Sequence, residues 1–463
     1  MAAPGATAEL AAFACSSAPA EQRHPELARV LLDTVGCAVA GKGSPPEALL
    51  RRWCMRERTT GRSTVWTTGE QVSASQAALL NGTAGHALDW DDVSPGSVLH
   101  PSTVLLPALV AQAEELGEGG PALAEAYDVG AAVFRAVAQA LPRLEHYRRG
   151  WHTTSTVGRL AAVAALANLQ GLDEASTRNA LGLAGSLAAG SLANFGTMTK
   201  PLHAGVAARD AVMAVGLAAD GFTANSGQLE AAGGFFALYG APTTDTLSSL
   251  VAGLWHWRTE WPADLALKRY PACYATHRAV DAALRLRGAL AGRTPERIEV
   301  VVEPGGLRPL IARDPATATE AKFSMAYAVS VALVHGELRL KHFDADALDD
   351  ERVRSLMAKV AARESEIPPL GDPAYGDGYT VLTLALPGSD VSDRVDHAYG
   401  DSRNPLSDAD LDAKFADCCK AAGLHPAATS RLARTLRSLP QAPSFDLFRE
   451  TLGRAAFSSR STE

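Results

Sequence analysis

Apolar residues recur at intervals of three and four through most of the first 260 positions. After Pro25 the run ELARVLLDTVGCAVAGKG keeps such a stripe until Gly41 and Gly43 interrupt it, which predicts a helix with a proline start and a glycine stop. Residues 157–169 repeat the pattern through Leu160, Val163, Leu166 and Leu169, with Gly171 placed as a C-terminal cap. Asp173 predicts the cap of the next helix, which carries Ala180, Leu181, Ala184, Leu187 and Ala188. A further helix is expected from Gly205 to Asp220, closed by Gly221. The period changes after Lys268. In RIEVVVEP (297–304) Ile298, Val300 and Val302 share one face and Arg297, Glu299 and Glu303 the other, the mark of a half-buried strand. YTVLTLALPG (379–388) alternates in the same way, with 391–399 as its hairpin partner. Residues 320–335 and 349–363 are expected as helices. From Pro405 the chain turns helical again, with Ser407 as cap and Asp410 at the third helical position.

The fold class is therefore mainly α. A large all-helical domain is expected from residues 1–264 and 400–463, with a smaller α+β domain, 265–399, inserted between them. A length of 463 residues is enough for two or three cores at roughly 150 residues per domain. The 47% hydrophobic and 20% charged fractions exclude a disordered chain, and 6% aromatics imply packing through small side chains. Net charge is −8 and no Lys/Arg stripe appears, which argues against nucleic acid as a partner. No apolar run reaches about 18 residues and the first residues lack a basic segment, so no membrane span or signal peptide is expected and the protein reads as cytoplasmic. The six cysteines form no CxxC pair and no zinc or iron–sulfur spacing.

Three groups of residues carry candidate chemistry. The first is NGTAGHALDWDDV, 81–93. As a continuous helix it would turn about 100° per residue, placing His86, Asp89 and Asp92/Val93 on one face with Asp91 pointing away. Carboxylates at a helix C-terminus oppose its dipole and repel each other at a cost of a few tenths of a kcal/mol each. Asp89 then reads as a base or ligand-orienting group, as part of a solvated acidic helix end, or with Asp92 as a Mg²⁺ ligand; the sequence offers no second metal-binding helix for the last. The second group sets cations and imidazoles beside glycine or proline: His100 in LHPST, His152 in GWHTTSTVG, Lys200 and His203 in TKPLHAG, Lys268 and His277 in LKRYPACYATH. Lys200 and His203 would precede the helix N-terminus expected at Gly205, where an anionic ligand could neutralise both cation and dipole. Each is also a common structural residue. The third is Tyr327 in KFSMAY, a core residue or a phenolic proton donor.

Taken together, LLDTVGCAVAG, NGTAGHALDWDDV, HPSTVLLPAL, GWHTTSTVG, TKPLHAGVAARDAV, LKRYPACYATHRAVDA, AKFSMAY and NPLSDADLDAKF resemble the MmgE/PrpD family, in order across residues 31–416. That family includes 2-methylcitrate dehydratases, cis-aconitate decarboxylases and iminodisuccinate epimerases. The resemblance implies an all-helical domain built from both termini, an α+β lid, an active site in the cleft and a homodimer. It implies Asp89 as catalytic aspartate, His100 and His152 as the motif histidines, Lys200 and Lys268 as the lysines, and Tyr327 as the lid tyrosine. Decarboxylase-type members carry threonine where this chain has Val93 and histidine where it has Cys273. Each loss of a buried polar contact is worth roughly 1–3 kcal/mol, which shifts expectation from cis-aconitate toward a substrate with fewer carboxylates or an apolar arm. Cys273 either lines the pocket or transfers a proton with its pKa lowered by Lys268.

The expected activity is that of a cofactor-independent hydro-lyase on a hydroxy-carboxylic acid such as an alkylcitrate. Lys200, Lys268 and nearby His203 and His277 would hold carboxylates, His152 or Asp89 would take the α-proton, and His100 or Tyr327 would protonate the leaving hydroxyl. No metal or organic cofactor is called for. Decarboxylation or epimerisation is the alternative within the family; a Mg²⁺-dependent lyase or cyclase and a non-catalytic helical scaffold are the alternatives outside it.

Overall fold

Two large hydrophobic cores organise the chain. One gathers residues from 6–267 and 406–452, the other residues from 270–395. The computed structural model describes residues 5–17, 26–240, 246–311, 314–376 and 378–454; Pro25, read above as a helix start, lies outside them.

The first core is built almost entirely of helices. Leu27–Ala40, Ala74–His86, Ser102–Leu116, Gly120–Ala140, Thr153–Gln170, Glu174–Leu187 and Thr199–Ala219 pack around it. The punctuation read from the sequence recurs in the caps: Gly171 takes φ +64° after Gln170, the Asp173 carboxylate accepts from Ser176 N–H at 2.8 Å, and Ser407 accepts from Asp410 N–H at 3.1 Å.

One boundary differs. The helix expected from Gly205 begins at Thr199, with Pro201 in the first turn where no donor is needed. Lys200 and His203 are thus inside the helix, and the anion site expected at its Gly205 end does not exist. Gly205 serves a crossing instead. A Cβ on Gly82 would stand 2.8 Å from the Gly205 Cα, and one on Gly205 would collide with the Leu79 carbonyl, so the two helices touch backbone to backbone. By length and composition Thr199–Ala219 passes as a membrane-spanning helix, but it carries Lys200, Arg209 and Asp210 and packs inside the helical core.

The second core lies under a four-stranded sheet ordered Val360–Glu364, Arg297–Val302, Thr380–Leu386, Ser389–Val395. The first pair is parallel and the others antiparallel, and Leu386 faces Ser389 across a two-residue turn containing Gly388 at φ +85°. Helices His277–Leu290 and Met325–His335 cover the sheet. The helix expected over 349–363 ends at Met357, and 360–364 form an edge strand beside Ile298–Val302. VAARE has little strand propensity of its own; pairing with an apolar neighbour decides its state. The expected 320–335 helix is also broken, at Lys322–Ser324, where Ser324 accepts from Tyr327 N–H and starts a new helix. Finally Asp408–Ala421 returns to pack on Leu27–Ala40.

Replacing Gly205 by alanine should wedge the helices apart and destabilise the protein by about 1–3 kcal/mol, read as a lower urea midpoint at unchanged slope.

Candidate active site

The Ala74–His86 helix stops one turn short of the acidic motif. Ala87 N–H still reaches back to Ala84, Asp89 N–H donates to the His86 carbonyl, and Asp89 adopts φ +53°, a left-handed conformation that aspartate tolerates better than most residues. The turn leaves three successive carbonyls without helical partners, and each is taken by a lysine from a different part of the chain. Lys322 Nζ donates to Leu88 O at 3.0 Å, Lys268 Nζ to Asp89 O at 2.8 Å and Lys414 Nζ to Trp90 O at 2.7 Å. A helix C-terminus attracts cations, so three ammonium groups answer the negative end that the aspartates alone would worsen. Lys414 also donates to Lys268 O at 2.8 Å and pairs with Asp33 at 2.5 Å, while Val93 and Ala266 exchange backbone hydrogen bonds of 2.9 and 2.8 Å. Those bonds tie the Asp89 loop to the Lys268 loop.

Against this frame the Asp89 carboxylate lies 2.6 Å from Lys200 Nζ and 3.2 Å from Lys268 Nζ. Burial opposes its charge, but Lys200, Lys268 and the neighbouring histidines outweigh burial and hold its pKa far below the carboxylate range. The continuous-helix reading placed Asp91 away from the site, and that is wrong. With the helix ended, Asp91 turns back to His86 Nδ1 at 2.8 Å and to His100 Nδ1 at 3.3 Å, and these imidazoles keep it ionised despite burial. Asp92 leaves the site altogether: it accepts from Ser102 N–H and hydroxyl, and burial raises its pKa to about 7. His86, Asp89, Asp91 and His100 do bring ligand atoms within 4.8 Å of one another. A divalent cation there would stand against two ammonium groups already bound to Asp89, and the Asp89–Asp92 pair expected of a Mg²⁺ site is not formed. The donor set fits a fixed-cation site, not a metal site.

Above Asp89 opens a cavity of ≈ 570 Å³ lined by Val93, His100, His152, Lys200 and Cys273 from the sequence motifs, by Phe195 and by residues of the sheet domain. A second cavity, ≈ 780 Å³, shares Lys200 and is lined by His86, Asp89 and Lys322. Burial lowers the pKa of His100 to about 4 and, with Lys200, that of His152 far below the usual histidine value, so both are neutral. His100 Nδ1 donates to the Asp92 carbonyl at 2.8 Å, which leaves its Nε2 lone pair free, 3.9 Å from Asp89. His152 Nδ1 meets His203 Nδ1 at 3.1 Å, and burial lowers the His203 pKa to about 4. Lys200 rests between the rings of Phe195 and Phe323, 4.8 Å from each centroid.

Residues 8–247 match the MmgE/PrpD N-terminal domain and residues 270–436 the MmgE/PrpD C-terminal domain. The chain belongs to the MmgE/PrpD family. It is 31% identical over 401 residues to cis-aconitate decarboxylase of Mus musculus, covering 84% of this chain and 80% of that protein. To cis-aconitate decarboxylase of Homo sapiens it is 31% identical over 398 residues, 84% and 81% of the two chains. To cis-aconitate decarboxylase of Aspergillus terreus it is 27% identical over 395 residues, 78% and 79%.

In this MmgE/PrpD chain the structure brings Asp89, His100, His152, Lys200 and Lys268 together, with Val93 and Cys273 on the cavity wall. Two expected residues, Tyr327 and His277, sit elsewhere, and Lys268 joins the cluster only from below. The Tyr327 hydroxyl donates to the His342 carbonyl inside the core of the sheet domain, so this phenol has no path to the cavity. His277 is fully buried behind the site, its Nε2 on the Ala272 carbonyl at 3.2 Å, and Lys268 lies beneath Asp89 without lining either cavity. Both contribute charge or support, not contact. Nor is Cys273 an activated thiol: burial and Asp89 raise its pKa more than Lys200 and Lys268 lower it. The sequence reading passed over Lys322, inside AKFSMAY, whose pKa burial lowers to about 8, and Tyr147, whose phenol lines the cavity.

Asp89→Asn would leave Lys200 and Lys268 buried side by side without a counter-charge, and should cost about 3–5 kcal/mol of stability in urea unfolding. His100 yields a second prediction. In the folded chain it stays neutral down to about pH 4, whereas the unfolded chain binds that proton near 6.5. Its contribution is therefore complete above about pH 6.5 and is lost as pH falls toward 4. Stability measured at about pH 7 and about pH 5 should fall more for the wild type than for His100→Gln.

Proposed function

We propose that the protein is a cofactor-independent lyase that decarboxylates a cis-aconitate-like unsaturated polycarboxylic acid. The observation that carries this reading is the cavity floor, where Lys200 sits on Asp89 with Lys268 beneath and two neutral imidazoles, His100 and His152, face the same space. The cis-aconitate decarboxylases among its relatives support the same reaction class, in preference to the hydro-lyase expected from the sequence.

A carboxylate bound at Lys200 would lie next to the reacting carbons. When the bond to an allylic carboxyl group breaks, CO₂ leaves without the electron pair, the double bond shifts, and the pair collects on the carbon beside the remaining carboxylate as an enolate. The fixed ammonium groups meet that charge as it forms, and in a water-poor cavity this is their largest effect. The carbanion then needs one proton. With His203 donating to its Nδ1, His152 carries its hydrogen on Nε2 and supplies it; solvent returns the proton afterwards. Asp89 holds Lys200 in place and stays ionised throughout. His100 Nε2, a lone pair, can accept only from a protonated carboxyl group of the substrate.

A second reading, loss of water from an alkylcitrate-like acid, is favoured by Val93 and Cys273, which give the wall an apolar methyl pair and a neutral thiol. Proton NMR in D₂O with cis-aconitate and with 2-methylcitrate separates the two. Release of CO₂ with one deuterium placed on the product methylene is the expected result; loss of water from 2-methylcitrate with carbon count unchanged would replace this reading by the second. The wall itself makes a further prediction: Val93→Thr combined with Cys273→His should raise kcat/KM for cis-aconitate relative to an alkyl-substituted analogue by roughly 10- to 100-fold.

A further inference from the structure

The far end of the ≈ 570 Å³ cavity is closed by the sheet domain. After strand Arg297–Val302 the segment Glu303-Pro304-Gly305-Gly306-Leu307-Arg308-Pro309 makes a turn that projects onto the cavity rim. Its shape is fixed. Gly305 takes φ +85°, Gly306 N–H donates to Glu303 O at 3.0 Å, Arg308 N–H to Gly305 O at 3.2 Å, and Leu307 N–H to the Glu364 carboxylate at 3.1 Å. Two arginines from this side face the cavity. Arg278 is taken by Glu303 at 3.0 Å. Arg308 has no ion pair and no side-chain hydrogen bond among the described residues, and Lys200, the other cation on the wall, is held by Asp89. From the opposite side, the helix Arg143–Arg148 presents Tyr147, whose hydroxyl likewise has no partner among the described residues. Burial keeps that phenol protonated, and the Arg308 charge lies near enough to act on it. The wall they share with Lys200 carries the apolar side chains of Val93, Val98, Leu141 and Val302, with Ser97, His146 and Thr153 among them.

We propose that Arg308 and Tyr147 form a second carboxylate-binding subsite, which closes on the distal carboxylate of a ligand whose first carboxylate is held at Lys200. The ligand class is then a di- or tricarboxylic acid with a short apolar span between its charged ends; the inference rests on the carboxylic-acid reading of the same cavity. Arg308 offers a planar fork of donors and Tyr147 one further O–H, a set that suits a carboxylate and is left idle by the protein itself. Because the two residues come from the two domains, a bound carboxylate bridges them.

The test is isothermal titration calorimetry of the full-length protein with tricarballylate, a saturated tricarboxylate that cannot decarboxylate by the allylic route, and with butyrate, which has a single carboxylate. Arg308 is exposed, so its replacement leaves the cores intact. Arg308→Gln should weaken tricarballylate binding on the order of 10- to 100-fold, Tyr147→Phe by a few-fold, and Arg308→Lys by less than Arg308→Gln, while butyrate binding stays as in the wild type. If the wild type binds tricarballylate and Arg308→Gln binds it equally well, the subsite is wrong and the reading of the cavity stands. If the wild type binds no carboxylate at all, both fall together.

Discussion

Four buried lysines and one turn hold this site together. Residues 88–90 end a helix, and their carbonyls have no continuation of that helix to bond; Lys322, Lys268 and Lys414 occupy them in sequence, while Lys200 takes the Asp89 side chain. An ammonium group inside a protein is tolerated only when its hydrogens find acceptors. Here the acceptors are fixed backbone oxygens at the negative end of a helix dipole, so the positive charges are placed by the fold before any ligand arrives. Asp89 neutralises only part of that charge, and an anion is the natural complement to the rest.

The imidazoles follow from the same field. His100 and His152 stand close to cations and out of water, so they carry no charge near neutral pH, and each has its Nδ1 engaged, on the Asp92 carbonyl and on His203. In this MmgE/PrpD chain buried lysines supply fixed positive charge and the histidines beside them are neutral. Asp91, fixed between His86 and His100, sets their orientation from behind.

Much of the fold was legible because it is written in local signals. Gly171, Asp173 and Ser407 cap helices through their own backbone or side-chain geometry, and the 379–399 hairpin declares itself by alternation. The failures share a cause in tertiary contact. VAARE becomes a strand because an apolar strand lies beside it, and Gly205 looks like a helix boundary although it exists to let another backbone approach. Within the site, the residue types in NGTAGHALDWDDV pointed to Asp89, yet a helical wheel assigned Asp91 the wrong direction because it could not register that the helix stops at His86. Tyr327 failed for the complementary reason: a motif marks its position, but only packing reveals that its hydroxyl is spent on His342. Lys322 and Lys414 lie inside AKFSMAY and NPLSDADLDAKF and were still passed over, since a lysine destined for a distant carbonyl looks like any surface lysine.

That distance has a consequence in time. The bonds from residues 88–90 to their lysines span 234, 179 and 324 positions of chain. Closing loops of such length costs entropy that only later contacts repay. The Lys414 contact waits on helix Asp408–Ala421, which follows the turn by more than 300 positions. Until that helix docks, the turn holds its aspartates without their full set of counter-charges.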